Sequence, residues 1–329
     1  MELISKKLIY TLRFALILMF CVILLGAYTR LKDAGLGCPD WPGCYGQWVL
    51  PSDSELRAAA QTRYPDMPIE EGKAWTEMAH RYLAGSLGLL IVGLSVYLLA
   101  KGPKYLISRY LPLALISLLV FQALLGMWTV TLKLLPIVVM GHLVGGFSCL
   151  SLLWWLYLKL TCRVSKSFAP SSHLLIKGAL VLLILQIILG GWTSANYAAL
   201  VCPQFPFCNA QFWPHFDLQA FNLLGASQLD KPIDFMSYSA RTTIHMMHRL
   251  GALLNVIVLS TLIIKQWRIN RSCVALILLL LIIQISLGIA NVRMMLPLPV
   301  AVMHNGFAAL LLLSLITLYY KTRKNLKLS

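Results

Sequence analysis

Eight apolar stretches, each long enough to cross a bilayer, leave this chain little choice of solvent. They run over residues 8–28, 78–100, 110–130, 137–158, 174–194, 242–264, 274–291 and 300–320. About 20 apolar residues span the hydrocarbon core as a helix, and an unpaired backbone is not tolerated there. Hydrophobic residues fill 59% of the 329 positions and charged residues 12%, against about 25% charged in a soluble domain. The expected fold class is therefore all-α: an integral membrane protein with eight transmembrane helices.

A net charge of +16 would fit a nucleic-acid partner if it were spread over the chain, and it is not. Place the termini and even-numbered connections in the cytoplasm. Lys6, Lys7, Arg13, Lys101, Lys104, Arg109, Lys159, Arg163, Lys166, Lys177, Lys265, Arg268, Arg271, Lys321, Arg323, Lys324 and Lys327 then lie inside, 17 of 28 basic residues, with Glu2 as the one acid of 12. The remaining 11 basic and 11 acidic residues lie outside or at outer helix ends. This is the positive-inside pattern of a multi-pass protein with both termini cytoplasmic, in the cell inner (plasma) membrane. The basic excess reports topology, and no nucleic acid is expected. Lys6-Lys7 before an apolar run could open a signal peptide, but no good small-residue cleavage site follows; the run is expected to be the first transmembrane helix.

A tandem repeat organises the spans. CPDWPGC (Cys38 to Cys44), His80-Arg81 and His142 return as CPQFPFC (Cys202 to Cys208), His248-Arg249 and His304, at offsets of 164, 168 and 162. Odd spans end on LGAYT, LGMWT, LGGWT and LGIAN, beginning at Leu25, Leu125, Leu189 and Leu287, and each next span begins near one of the four histidines. The unit is a helix hairpin closed on the outer side. Four spans per half is an even number, so both halves point the same way and the repeat is parallel. Two tandem four-helix bundles are expected, 1–165 and 166–329, with long outer loops at 30–76 and 195–241 that fold as caps. Loops of that length are usually functional. Gln122 and Gln284, each four residues before Gly126 or Gly288, read as interhelical hydrogen-bonding groups beside close-packing glycines.

Cys38, Cys44, Cys202 and Cys208 fall in the outer loops, where disulfides persist. Four cysteines allow three connectivities; the equal spacing favours 38 with 44 and 202 with 208. Each seven-residue ring would stabilise its loop by about 2 kcal/mol. Zinc is the competing reading, although the spacing is not the usual one for that metal.

Ionisable groups at membrane depth are costly and tend to be functional, so four histidines matched by the repeat point to ligation. A di-iron site would need several Glu and two Glu-x-x-His motifs, and only Glu77 to His80 has that form. Two imidazoles facing across a bundle suit a haem iron, one haem per half: His80 with His142, and His248 with His304. Arg81 and Arg249 are candidates for the haem propionates, with headgroup snorkelling as the plain alternative. Glu77 precedes His80 by one turn where His245 precedes His248, so it shares the His80 face; a carboxylate there could also merely favour a helix N-terminus. An acid in one half only suggests chemistry in that half and a resident cofactor in the other. His173 and His215 have no such place in the pattern.

GAYTRLKDAGLGCPDWPGCYGQ, EMAHR, GHLVGG, MMHRLGA and VMHNG together resemble the haem A synthase family, membrane enzymes that act on haem O in cytochrome oxidase assembly. The resemblance covers nearly the whole chain. It implies a C-terminal bundle keeping haem b as cofactor on the iron ligands His248 and His304. It implies an N-terminal bundle receiving haem O between His80 and His142, with Glu77 as the essential acid. The implied reaction converts the C8 methyl of haem O to a formyl group by two hydroxylations and loss of water. The loop cysteines would serve as disulfides or redox-active thiols, and the implied partners are the enzyme that makes haem O and an electron acceptor. A homo-oligomer is compatible with all of this. The rival reading is a di-haem b-type electron-transfer protein without bond-making activity, which accounts for four histidines but not for Glu77.

Overall fold

The computed structural model describes residues 6–101, 107–162, 170–208, 210–212, 214–223 and 236–323, with side chains throughout except at 170–172. Lys104, Arg163, Lys166, Lys324 and Lys327 of the charge pattern lie outside these residues. Nine α-helices are described: α1 Lys6–Leu31, α2 Ser54–Arg63, α3 Glu71–Lys101, α4 Tyr110–Thr131, α5 Pro136–Thr161, α6 Pro170–Ala195, α7 Tyr238–Gln266, α8 Arg271–Arg293 and α9 Leu298–Thr322. All but α2 are long and apolar enough to cross a membrane, and the chain is an all-α, multi-pass membrane protein. Their outward faces are apolar too, with Leu89 77% and Ile264 76% exposed, as lipid rather than water as solvent requires.

Helix α3 starts seven residues before the apolar stretch at 78, and α7 four before the stretch at 242. Hydropathy marks only the lipid-immersed part of a helix, and the polar segments before both stretches continue the same helices beyond it. Glu77 consequently lies in the second turn of α3, away from the unpaired amides of the N-terminus, and the helix-dipole reading of this residue lapses.

Helices α1, α3, α4 and α5 pack as a closed ring, and α6, α7, α8 and α9 form a second ring with the same neighbours. The rings meet along α1, α5, α6 and α9. One apolar cluster runs through both, with Leu12, Leu153, Ile176 and Leu315 fully buried. Across the junction the Trp154 indole donates to Thr317 Oγ1 at 2.8 Å. At one end Arg30 Nη2 donates to Ser194 O at 2.8 Å and Nη1 to the Tyr197 hydroxyl at 3.1 Å.

The fourfold motif has a structural meaning at each helix end. Ala34 N–H donates to Thr29 O, Leu134 to Thr129 O, Ala198 to Thr193 O and Leu296 to Asn291 O, at 2.9, 2.8, 2.9 and 2.7 Å. These are the six-to-one bonds of a Schellman closure. The backbone turns left-handed at the residue before each donor, Asp33, Lys133, Tyr197 and Met295. The last residue of each LG-x-x-Thr or LG-x-x-Asn motif thus supplies the carbonyl that ends the helix and turns the chain back.

The long loops fold as caps. Cys38, Cys44, Tyr45, Leu50 and Ala60 bury themselves against Ala74 and Met78 of α3, and Asp53 caps α2 by accepting from the Leu56 N–H at 2.7 Å. In the other loop Ala198 and Ala220 pack against Trp192, Ala240 and Ile244, and the Trp192 indole donates to Ala220 O at 2.8 Å. Asp217 ties this cap to α7: its carboxylate accepts from the Gln219 N–H and from the Ser239 and Ser237 hydroxyls. Those donors hold its pKa below the ordinary 3.8. A lowered carboxyl pKa gives an anchorage fully present above pH 3.8 and lost as the pH falls through the folded-state value. Tryptophan fluorescence is expected to report this loosening as the pH falls below 3.8, through Trp192, and Asp217→Asn should remove that transition.

Candidate functional site

Both histidine pairs stand at the capped end of the rings, His80 on α3 and His142 on α5, His248 on α7 and His304 on α9. All four side chains are half-buried. Each imidazole lies against a motif glycine of the preceding transmembrane helix. A Cβ on Gly26 would sit 2.9 Å from His80 Cε1, and one on Gly126 3.5 Å from His142 Cε1. In the second ring a Cβ on Gly190 or Gly288 would sit 3.2 Å from Cε1 of His248 or His304. The glycine of LG-x-x-Thr/Asn is therefore the slot that admits the ring, and the fourfold motif joins a helix stop to a histidine seat.

The His80 and His142 ring centres are 6.5 Å apart. Two imidazoles bound to opposite faces of one metal, at metal–nitrogen bonds of about 2 Å, have centres about 6 Å apart. The imidazoles of His80, His142 and His304 are each turned toward a backbone group of the preceding transmembrane helix, that of Val22, Gln122 and Gln284 respectively. No group of three or more His, Cys, Asp or Glu able to hold a metal ion occurs among the described residues. A porphyrin supplies four nitrogens of its own and asks the protein only for axial ligands, so the paired histidines fit haem.

Glutamines reach two of the rings. Gln186 Nε2 lies 3.0 Å from His248 Nδ1 and donates to His248 O at 2.9 Å. Gln284 Nε2 lies 3.3 Å from His304 Nε2. Gln122, the counterpart in the first ring, lies against Gly145 with a buried Nε2 that has no partner among the described residues.

Glu77 is 5% exposed and binds the first cap to α3. Oε2 accepts from the Cys38 N–H at 2.9 Å, and Oε1 pairs with Arg81 Nη2 at 2.5 Å. Arg81 Nη1 donates to the carbonyls of Asp40, Pro42 and Gly43. In the second half Arg249 donates to the carbonyls of Cys202, Gln204, Pro206 and Phe207, and the buried His245 places Nδ1 2.9 Å from Ala198 O. Both arginines therefore clamp the loop above their histidine pair. Both cysteine pairs are disulfides, Cys38 with Cys44 and Cys202 with Cys208, which removes zinc and the other connectivities. His173 packs against Tyr319 at the opposite end of the rings, and His215 is exposed in the second loop.

Residues 10–316 match the family model COX15-CtaA, described as cytochrome oxidase assembly protein. The chain belongs to the COX15-CtaA family. It is 48% identical over 323 residues to the heme A synthase of Shewanella oneidensis, covering 95% of this chain and 96% of that protein. It is 27% identical to the heme A synthase of Neorickettsia sennetsu over 318 residues, covering 90% and 93% of the two chains. The heme A synthase of Shouchella clausii is also 27% identical, over 286 residues and 82% of each chain. Two features of this family member escape a reading by residue type. Gln186 completes the glutamine series, four residues before Gly190 as Gln122 and Gln284 are before theirs; position 22 of α1, four before Gly26, is valine. The arginine clamps have no spacing signal, because their acceptors are backbone carbonyls brought close by the folded loops.

Proposed function

We propose that this protein is a haem A synthase that takes haem O from the membrane and oxidises its C8 methyl to a formyl group. The observation that carries this is the match along almost the whole chain to the Shewanella oneidensis heme A synthase. The local chemistry supports it: one histidine pair has a buried acid beside it, and the other pair does not. His80 and His142 hold haem O by its iron. His248 and His304 hold haem b, which when bound supplies one-electron redox chemistry. Each hydroxylation adds the oxygen of one water to the methyl carbon and releases two protons with the two electrons, Glu77, on the His80 side of α3, taking one of the protons; loss of water from the second product leaves the aldehyde. Each oxidation releases two electrons to an acceptor. Arg81 holds Glu77 and, with Arg249, keeps the disulfide loops over the two sites; a propionate reaching either guanidinium would compete with loop carbonyls. The protein lies in the plasma membrane with both termini cytoplasmic and both sites near the outer face, and it meets the haem O-forming enzyme there.

Haem extracted from the purified protein after co-expression with a haem O source is expected to contain haem A. Extracts containing only haem b and haem O would leave a di-haem electron carrier and remove the enzyme assignment. The slot glycines give a separate check. A methyl on Gly26 meets the tip of the His80 ring, which can swing aside with little loss of stability but not without leaving its place opposite His142. Gly26→Ala is therefore expected to weaken haem O binding by about tenfold, the equivalent of roughly 1.4 kcal/mol of the typical overpacking penalty. Its thermal midpoint without added haem should stay near that of the parent.

A further inference from the structure

The two rings also differ at the end opposite the caps. A groove of about 490 Å³, open along its side, lies over α5 between α4 and α9. Its deeper part is apolar, lined by Ala114, Leu152 and Ile316, and the Ser151 hydroxyl there donates to Phe147 O at 2.7 Å. Ser108, Tyr110, Lys159 and Tyr319 surround the part nearer the helix termini. Trp155 stacks on Tyr319 with ring centres 6.1 Å apart, and the Arg323 guanidinium lies 5.1 Å from the centre of the Trp155 ring. Arg323 is close enough to Lys159 for the two cations to repel each other. No carboxylate pairs with either among the described residues, where every Asp and Glu belongs to the capped end.

The repeat supplies the comparison. At the offset of 162 that relates His142 to His304, the matching place lies over α9 between α8 and α5, and there the space is filled. Trp154 stands where the groove has Ile316, and its indole donates to Thr317 Oγ1, the counterpart position of Trp155, at 2.8 Å. Lys321, the counterpart of Lys159, donates to Cys273 Sγ at 3.4 Å. Leu111 stands in place of that cysteine in the groove, so Lys159 lacks the acceptor its counterpart has. Particular side chains keep the first groove open, since the same helix arrangement closes the second.

We propose that the groove between α4, α5 and α9 binds one anionic phospholipid, with a headgroup phosphate between Lys159 and Arg323 and an acyl chain along Leu152 and Ile316. Its volume falls within the range of about 300–1,000 Å³ usual for small-molecule sites. Residues 151–159 of α5 run along it for roughly 12 Å, most of the ~15 Å of hydrocarbon in one leaflet. A phosphate offsets a repulsion between cations that no carboxylate here offsets, and its oxygens accept from both. Basic pockets between transmembrane helices take anionic headgroups in this way, and rings such as Trp155 and Tyr319 sit at headgroup level. A lipid fits better than a soluble anion because the deeper part of the groove is apolar and its side is open next to lipid-facing residues of α4, among them the exposed Tyr110 and Leu113. Nothing in this inference depends on haem.

The test is native mass spectrometry of the full-length protein, purified in a neutral detergent and titrated with dioleoyl phosphatidylglycerol or dioleoyl phosphatidylcholine. The parent is expected to retain one phosphatidylglycerol in preference to phosphatidylcholine. The Lys159→Gln and Arg323→Gln double variant should bind phosphatidylglycerol more weakly by on the order of tenfold. Lys321→Gln removes an equal charge from the filled counterpart and should bind as the parent does. Ile316→Trp keeps every charge and puts an indole where the other half has one; it should lose the lipid, and it decides the matter even if the double variant does not accumulate. Equal retention of the two lipids by the parent, a loss in Lys321→Gln as large as in the double variant, or undiminished binding in Ile316→Trp would overturn the inference. Displacement of the lipid by millimolar inorganic phosphate would also overturn it, leaving a site for a free anion.

Discussion

Glu77→Gln is expected to leave both haem sites loaded and to lower haem A formation by at least a hundredfold. General acid–base groups contribute about 10²- to 10⁴-fold, and glutamine cannot carry a proton between successive steps. The substitution also removes a charge that faces Arg81 at 2.5 Å. Breaking a buried pair from one side costs up to about 3–5 kcal/mol, less here because the Arg81 side chain keeps 12% exposure. A collapsed loop and a lost proton carrier would both lower activity, so two controls separate them. Glutamine retains an Oε1 able to accept from the Cys38 N–H, and the Cys38–Cys44 loop should resist proteolysis as in the parent. The double variant with Arg81→Gln removes the unpaired charge. Recovery of haem A in that double variant would assign Glu77 to loop holding alone; continued absence fits the proton carrier where the loop, which Arg81 also holds through the Asp40, Pro42 and Gly43 carbonyls, still resists proteolysis. Chromatography of extracted haems measures all three proteins, and undiminished haem A in Glu77→Gln would end the catalytic assignment.

His248→Ala or His304→Ala should abolish the low-spin b-type absorption of the resident haem, whereas His80→Ala should leave it. Alanine would remove one of the two imidazoles proposed to hold the iron and leave a void beside Gly190 or Gly288. The bound group also contributes to stability by mass action, about 2.7 kcal/mol at a hundred times its dissociation constant. The thermal midpoint of either variant should therefore fall with the spectrum, and added haem b should not restore it. A reduced spectrum unchanged in His248→Ala would place the resident haem elsewhere and reverse the assignment of the two halves.

Much of this was legible along the chain because a membrane leaves few options. An unbroken apolar run must be helical in lipid, so spans and hairpins followed from composition and spacing, and the repeat identified the histidines before any contact was known. The limits of α3 and α7 were not legible, since hydropathy does not report a helix that continues into water. Nor was the place of Glu77: one-turn spacing put it on the His80 stripe, but that its oxygens meet the Cys38 amide and Arg81 depends on how residues 38–44 fold back over α3.

The LG-x-x-Thr/Asn motif draws the line most clearly. Its fourfold recurrence and its order relative to each histidine are properties of the sequence, and they sufficed to predict hairpins with paired imidazoles. That its glycine is the imidazole's seat was decided only by packing, because the histidine comes from the next transmembrane helix; the helix stop is local, its donor five residues on, but depends on a left-handed residue between them that the residue types there do not signal. Likewise the residue types at 22, 122, 186 and 284 are written in order, but which glutamine touches a histidine is not. Side-chain contacts depend on ångström shifts between neighbouring helices, and those shifts set the two otherwise matching halves apart.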